Sequence, residues 1–250
     1  YAAELDEDEV AAALDDGAAL LLTDSNRKRG ERWTTVRHTR GYTESPDDEA
    51  LEEDLTDNRL PVFPDAGTDS QTVAANQGTV EASATSYGNP ITFTAEERPS
   101  NAVDGDPDTS WRTAAFSDAR GERLELQLRE PVTTDHVTLT QPTNGNRNRF
   151  LTEVRLRFDG GDPVDVMLTP QSRDVPGQVV EFPERTFETL SIEILADTAG
   201  DRPRFTGLSS VGFAEVAIGD QAPTATELVR LPTDLLEAAG TDSADRPLAI

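Results

Sequence analysis

Short segments in which apolar and polar residues alternate recur along residues 73–220, and this pattern constrains the fold more than any other feature of the sequence. In the segment Arg123–Leu128, for example, every second residue is a leucine. Such alternation places the apolar side chains on one face of a strand. Six segments share the pattern: Arg123–Leu128, Val137–Thr140, Glu153–Phe158, Val164–Leu168, Thr189–Leu195 and Val211–Ile218. Because Gly, Pro, Asn and Asp separate them, they predict a mainly β fold, an antiparallel β-sandwich or barrel.

Residues 1–72 have a different pattern, which predicts a small α/β subdomain. A first helix is expected to be capped by Asp6 and to end at Gly17. The apolar run Ala18–Leu22 fits a buried strand, and a second helix is expected to begin near Arg27 and to carry Trp33 and Val36. We therefore expect three parts: an α/β subdomain with an acidic linker (1–72), the sandwich (73–220) and a connector to a following domain (221–250).

The charge balance limits the partners of the chain. Acidic residues outnumber basic ones by 48 to 22, and the net charge of −26 repels nucleic-acid phosphates. The sequence has no cysteine, which excludes disulfides and thiol chemistry, and it has no apolar run long enough to span a membrane. We expect the chain to be a fragment of a larger protein.

The acidic run from Asp104 to Thr109 is the strongest candidate for a cation site. Three carboxylates, at Asp104, Asp106 and Asp108, surround the flexible Gly105. Oxygen ligands that converge around a tight turn suit calcium. An EF-hand loop is excluded because its twelfth position would be Ala115 instead of a glutamate. The alternative is a turn that is only hydrogen-bonded by its own side chains.

The run NAVDGDPDTSW (residues 101–111) resembles the hallmark of discoidin, or coagulation factor 5/8 type C, domains, which are galactose-binding-like carbohydrate-binding modules. The segments GERLELQLREPVTTDHVTLTQP and VGFAEVAIG resemble strands of that family. This resemblance implies a discoidin-like jelly roll with Trp111 in the core. It also implies a structural calcium ion whose ligands would be Asp104, Asp106, Thr109, Ala214 and Glu215.

Ligands of this family are bound by loops at one end of the sandwich. The corresponding candidates are polar and aromatic: Tyr87, Arg112, Phe116, Asn144, Asn146, Arg147, Asn148, Arg149, Arg204 and Phe205. Asparagine and arginine side chains could donate to vicinal sugar hydroxyls. An ordinary solvated turn is the alternative interpretation of the Asn- and Arg-rich loop.

No catalytic constellation is visible in the chain. The two histidines, His38 and His136, have no metal-ligand spacing, and Gly207–Gly212 lacks the nucleophile-elbow pattern. We therefore expect the fragment itself to be non-catalytic.

The flanking sequences LLLTDSNRKRGERW, GYTES and RLPTDLLEAAG are similar to regions around the discoidin-like module of large actinobacterial cell-wall arabinofuranosyltransferases. This similarity implies an accessory module of a glycosyltransferase in the plasma membrane. The module would lie on the extracytoplasmic side and contact cell-wall arabinan or galactan and other domains of the parent protein. Two alternatives stay open, namely a glycan-binding or adhesion domain of another secreted protein and a hydrolase centred on the N-terminal α/β piece.

Overall fold

The computed structural model describes residues 7–21, 36–39, 73–88, 94–144, 148–199, 201, 209–220, 223–230 and 248–249. The chain divides into two compact units. The first comprises Tyr1–Gly30, Thr43–Ala75 and Val229–Ile250, and the second comprises Glu31–Tyr42 and Asn76–Leu228. The three-part division expected from the sequence stays a prediction.

The first unit contains one helix and one parallel pair of strands in its described part. Helix α1 (Glu7–Asp15) buries Val10 and Leu14. It ends at Gly17, which has φ +92° and donates its backbone N–H to the carbonyl of Leu14, as the sequence predicted. Strand β1 (Leu20–Leu21) lies within the predicted strand segment and pairs with β13 (Leu248–Ala249). The expected Asp6 cap and the start of the helix near Arg27 lie outside the described residues. The expectation that this helix carries Val36 is wrong, because Val36 begins the strand Val36–Thr39.

The remaining strands are antiparallel wherever their register is defined. Their bounds are β2 (Val36–Thr39), β3 (Val73–Gly78), β4 (Val80–Tyr87), β5 (Trp111–Arg112), β6 (Arg123–Thr140), β7 (Leu151–Phe158), β8 (Val164–Met167), β9 (Gln178–Asp197), β10 (Gly212–Phe213), β11 (Glu215–Ile218) and β12 (Ala225–Arg230). Short 3₁₀ helices span Ala95–Glu97, Pro99–Ala102 and Pro170–Arg173. The main sheet has the order β2-β4-β6-β9-β7-β8, and β11 pairs with β6. The predicted mainly β, antiparallel sandwich is confirmed.

Two long strands, β6 and β9, run through both halves of the main sheet. The first part of β6 lies between β4 and β9, whereas its last part lies between β11 and β9. The register between β6 and β9 shifts twice, between Gln127 and Val132 and between Thr134 and His136. A bulge of this kind bends a strand and increases its twist, so one backbone can serve both halves of the sheet. Pro131 and Pro183 lie at these irregular positions, where a missing N–H is tolerated.

The core of the second unit is built from the inward residues of these strands. Leu124, Leu126, Leu190, Ile192 and Ile194 are at most 1% exposed, and the predicted alternation accounts for each of them. Phe158 packs against Phe182 and Phe187, with ring centroids 4.7 Å apart in both pairs. No helix among the described residues is long and apolar enough to cross a membrane.

Candidate functional site

The segment Asp104–Thr109, here named the acidic turn, is closed by its own side chains. The Asp104 carboxylate accepts from the backbone N–H of Asp106 (2.9 Å) and from the hydroxyl of Thr109 (2.7 Å). Gly105 has φ +82°, which favours glycine at this position. Asp108 donates its N–H to the Asp106 carboxylate (2.9 Å). The turn is therefore hydrogen-bonded internally, as the simpler interpretation of the sequence expects.

Glu215 lies at this turn although it is more than one hundred residues away in the sequence. Strand β11 pairs with β6, and the N–H of Ala214 donates to the carbonyl of Thr140, which positions Glu215. Burial and the neighbouring Asp104 carboxylate raise the pKa of Glu215 to about 7, and an N–H bond from Gly105 partly offsets this rise. One carboxylate oxygen of Glu215, Oε1, is buried without a hydrogen-bond partner.

Two carboxylates that approach each other in a partly buried place form a suitable environment for a cation, which would relieve their repulsion. The main-chain carbonyl oxygens of Asn101 and Asp106 also face the turn, since they lie 3.4 and 3.0 Å from the Thr109 hydroxyl oxygen. Carboxylates alone do not supply a complete set of metal ligands. No group of three or more Asp, Glu or His side chains among the described residues is arranged to hold a metal. The predicted donors therefore fit calcium only if main-chain and hydroxyl oxygens contribute.

Trp111 follows the acidic turn and lies in the core. It is fully buried, donates its Nε1–H to the carbonyl of Ser86 (3.0 Å) and stacks on Phe213 with 6.2 Å between ring centroids. Gly212 pairs with Arg112, and a Cβ at Gly212 would lie 2.0 Å from the Trp111 carbonyl oxygen. Trp111 thus supports the site from below and is not available to stack on a sugar.

Arg112 lies beside the turn and is held by three contacts. Its Nε donates to the Ser110 hydroxyl (2.8 Å), and its Nη2 donates to the carbonyl (3.1 Å) and side-chain oxygen (2.6 Å) of Asn144. Burial lowers the pKa of Arg112, and the nearby Glu97 carboxylate opposes that shift. Glu97 is itself held by the hydroxyls of Thr94 and Ser210. The Arg112 guanidinium therefore has the carboxyl group of Glu97 nearby.

Arg149 is buried and paired. Its Nη2 donates to the Asp197 carboxylate at 2.8 Å, and these two side chains are 2% and 4% exposed. Its Nη1 donates to the carbonyl of Ser117 (2.8 Å). The neighbouring Asn148 accepts the backbone N–H of Ser209 (3.0 Å).

Residues 80–199 match the family model of the F5/8 type C domain. The match covers 120 of the 250 residues, so this segment is similar to F5/8 type C domains. No curated protein sequence matches the chain.

Among solved structures, the chain is similar to the cryo-EM structure of the arabinofuranosyltransferase AftD from Mycobacteria. Two classes of a mutant AftD give TM-scores of 0.54 and 0.53 at 17% identity, and each match covers 89% of this chain. The chain spans only 17% of the length of AftD. The family 32 carbohydrate-binding module of NanJ from C. perfringens, solved with galactose, has a TM-score of 0.40 and 19% identity, with 62% of this chain and 100% of the module covered. At these identities the likeness to AftD concerns the fold alone.

The structure brings several of the predicted ligand-binding residues together. Arg112, Asn144 and Arg149 line one small pocket, here named the loop-end pocket, together with Gln141, Pro142, Phe150, Ser210, Val211 and Gly212. The space between these residues is about 10 Å³, roughly the size of one water molecule. A sugar would therefore contact the rim of this pocket and not its interior.

The other candidates are placed differently. Tyr87 is fully buried in the core of the domain, whereas Phe116 is 54% exposed and has φ +63°, an unusual value for a residue with a side chain. Asn146, Arg147, Arg204 and Phe205 lie outside the described residues. A larger groove of about 370 Å³ lies on the sheet face, between Glu81, Ser83, Glu125, Gln127, Thr189 and Ser191.

Sequence reasoning missed the acidic partners of the two arginines. Glu97 lies 15 positions before Arg112, and Asp197 lies 48 positions after Arg149. No local spacing relates residues this far apart, so a single sequence carried no signal for either pair.

Proposed function

We propose that this chain is an accessory, glycan-binding part of a membrane-bound arabinofuranosyltransferase. The observation that carries this proposal is the likeness to AftD, which extends over 89% of the chain and therefore beyond the F5/8 type C segment. On this proposal the catalytic residues belong to the rest of the parent enzyme. The chain would lie on the extracytoplasmic side, where cell-wall arabinan or galactan is the acceptor.

The loop-end pocket supports an uncharged glycan as the ligand. Arg149 is paired with Asp197 at 2.8 Å and is therefore not left to neutralise an anion, and the guanidinium of Arg112 is already held by Ser110 and Asn144. Their positions are fixed by hydrogen bonds before any ligand binds, which lowers the entropy cost of binding. Neutral hydroxyl groups suit such a surface better than phosphate or carboxylate groups.

Phe116 supports the same proposal. Its side chain is 54% exposed, and a left-handed backbone conformation of this kind costs about 1–3 kcal/mol unless its surroundings enforce it. The next residue, Ser117, accepts from buried Arg149 and donates its hydroxyl to the carbonyl of Ala114 (2.9 Å). An exposed aromatic ring on an anchored loop is a natural platform for the apolar face of a sugar.

Calcium would stabilise the acidic turn on this proposal. Asp104 and Glu215 would hold the ion together with oxygens of Asp106, Thr109 and Ala214, and the unpartnered oxygen of Glu215 supports this assignment. The ion would neutralise the two carboxylates and fix the turn to strand β11. A chelator or the Asp104→Ala substitution is then expected to lower the melting temperature, and unchanged melting in both would remove the metal.

Calorimetric or NMR titration with neutral arabinan and galactan oligosaccharides tests glycan binding. We expect weak binding, with a Kd on the order of millimolar, and a loss of at least about fivefold in Phe116→Ala, because one stacking contact contributes about 1 kcal/mol. Met167→Ala is the matched control, since Met167 is also exposed (64%) but lies in strand β8. Absence of binding to both glycans, or equal losses in the two variants, would contradict the proposal.

A further inference from the structure

Asn144 lies between the acidic turn and the loop-end pocket and contacts both. Its Nδ2 amide donates to the carbonyl of Asp108 in the turn. Its Oδ1 and its main-chain carbonyl both accept from Nη2 of Arg112, at 2.6 and 3.1 Å. One side chain therefore contacts both Asp108 and Arg112, which lie 36 and 32 positions before it in the sequence.

The orientation of this amide is fixed by its neighbours. A main-chain carbonyl can only accept a hydrogen bond, and a guanidinium group can only donate one. The NH₂ group of Asn144 must therefore face Asp108, and its oxygen must face Arg112. A rotated amide would lose both hydrogen bonds, so the side chain has a single favourable position.

The connection continues from Asp108 to the carboxylates of the turn. The N–H of Asp108 donates to the carboxylate of Asp106, and the N–H of Asp106 donates to the carboxylate of Asp104. A chain of hydrogen bonds thus runs from Asp104, beside Glu215, through Asn144 to Arg112. Any change that tightens the turn also fixes the position of the Asn144 amide.

We infer that Asn144 is a positioning residue that couples cation binding at the acidic turn to glycan binding at the loop-end pocket. This inference rests on the proposed function, because it takes the pocket as the glycan site and the turn as the cation site. Coupling between two sites is reciprocal, so calcium should strengthen glycan binding by the same factor by which the glycan strengthens calcium binding. Couplings of this kind typically amount to about 5- to 150-fold, and for one connecting side chain we expect a value near the lower limit.

The substitution Asn144→Asp separates the two contacts. A carboxylate keeps the oxygen that accepts from Arg112 but cannot donate to the carbonyl of Asp108. Gln178→Glu is the matched control: it adds the same charge, keeps the oxygen that accepts from Thr169 and loses the donor to the Met167 carbonyl, but it lies outside the acidic turn and the loop-end pocket. Both variants can therefore be compared at equal net charge.

The experiment measures calcium affinity by calorimetry with and without a saturating neutral arabinan oligosaccharide. We expect the glycan to tighten calcium binding about fivefold in the wild type and in Gln178→Glu, and to have no effect in Asn144→Asp. An equal tightening in all three proteins, or none in the wild type, would overturn the coupling.

A second measurement does not depend on the glycan or on the variant's stability. In the wild-type chain, calcium alone should shift the NMR resonance of the Arg112 Nη2–H group, which contacts Asn144 and lies outside the turn. If calcium binds and this resonance stays unchanged, the coupling is wrong while the proposed cation site stands. If no calcium binds, the cation site and the coupling both fail, and the glycan titration still tests the pocket separately.

Discussion

The buried pair of Arg149 and Asp197 gives the sharpest prediction of stability. The two side chains are 2% and 4% exposed and are joined at 2.8 Å, so removing either partner leaves the other charge buried. Such a loss costs about 3–5 kcal/mol. Arg149→Met leaves Asp197 with one remaining donor, the N–H of Ala199 at 2.6 Å, so we expect the lower value, about 3 kcal/mol.

Asp197→Leu should be the more costly change. Nε of Arg149 is already buried without a hydrogen-bond partner. After the substitution, the Arg149 guanidinium would keep its hydrogen bond to the Ser117 carbonyl but would lose the carboxylate. We expect a loss of about 5 kcal/mol. In the double variant, no charge is left unpaired, and the loss should shrink to the cost of two unpartnered backbone groups, about 2 kcal/mol in total.

Urea unfolding followed by tryptophan fluorescence measures these differences. The double variant should be more stable than Asp197→Leu alone, by about 3 kcal/mol on the values above. If the losses of the two single variants simply add, the pair does not interact in the way its geometry implies. In that case the structural role assigned to Arg149 would be wrong, and its assignment as a direct glycan contact would gain support.

Three further predictions concern single residues. The pKa of Glu215 is raised to about 7, so the folded chain retains a proton that the unfolded chain releases near pH 4.5. Without calcium, the protonated Glu215 therefore stabilises the folded chain below pH 4.5, and this contribution is lost as the pH rises through 7. Melting temperatures measured from pH 4.5 to 8 in a chelator should show this loss in the wild type but not in Glu215→Gln. Trp111→Phe removes the buried N–H donor and should cost about 2–3 kcal/mol in urea unfolding; a loss below about 1 kcal/mol would contradict its supporting role. Gly212→Ala should destabilise the domain by more than about 2 kcal/mol, because the added Cβ would clash with the Trp111 carbonyl oxygen. Gly161→Ala should have a smaller effect in the same assay, because the atom nearest to its added Cβ would be 3.1 Å away.

The parts of the fold that could be predicted from the sequence are those with strong apolar alternation. Segments rich in Leu, Ile and Val, such as Arg123–Leu128, lie in the strands and face the core as expected. Strand β4 was missed because its inward residues include Ala82 and Ala84, which carry little strand signal. The predicted strand Val211–Ile218 is interrupted at Ala214, which donates its N–H to Thr140.

The part of the candidate site that a local motif encodes could be predicted from the sequence. The acidic turn and its approach to Glu215 followed from the resemblance to a known family, and the structure brings these groups together. The burial of Tyr87 and the pairing of Arg149 depend on tertiary packing, which no local pattern in the sequence reflects. These residues were chosen as ligand contacts because their side chains have suitable chemistry, and chemistry alone does not indicate burial.

Strands β6 and β9 belong to both halves of the main sheet, and this sharing affects how the domain unfolds. Neither half can peel away while the other stays intact, because each would have to break the same two backbones at the bulges. The domain should therefore unfold in a single step and fold slowly, since its pairings join distant parts of the sequence. Opening of the sheet from one edge should therefore be disfavoured, and loss of the pairing between β6 and β9 should unfold both halves together.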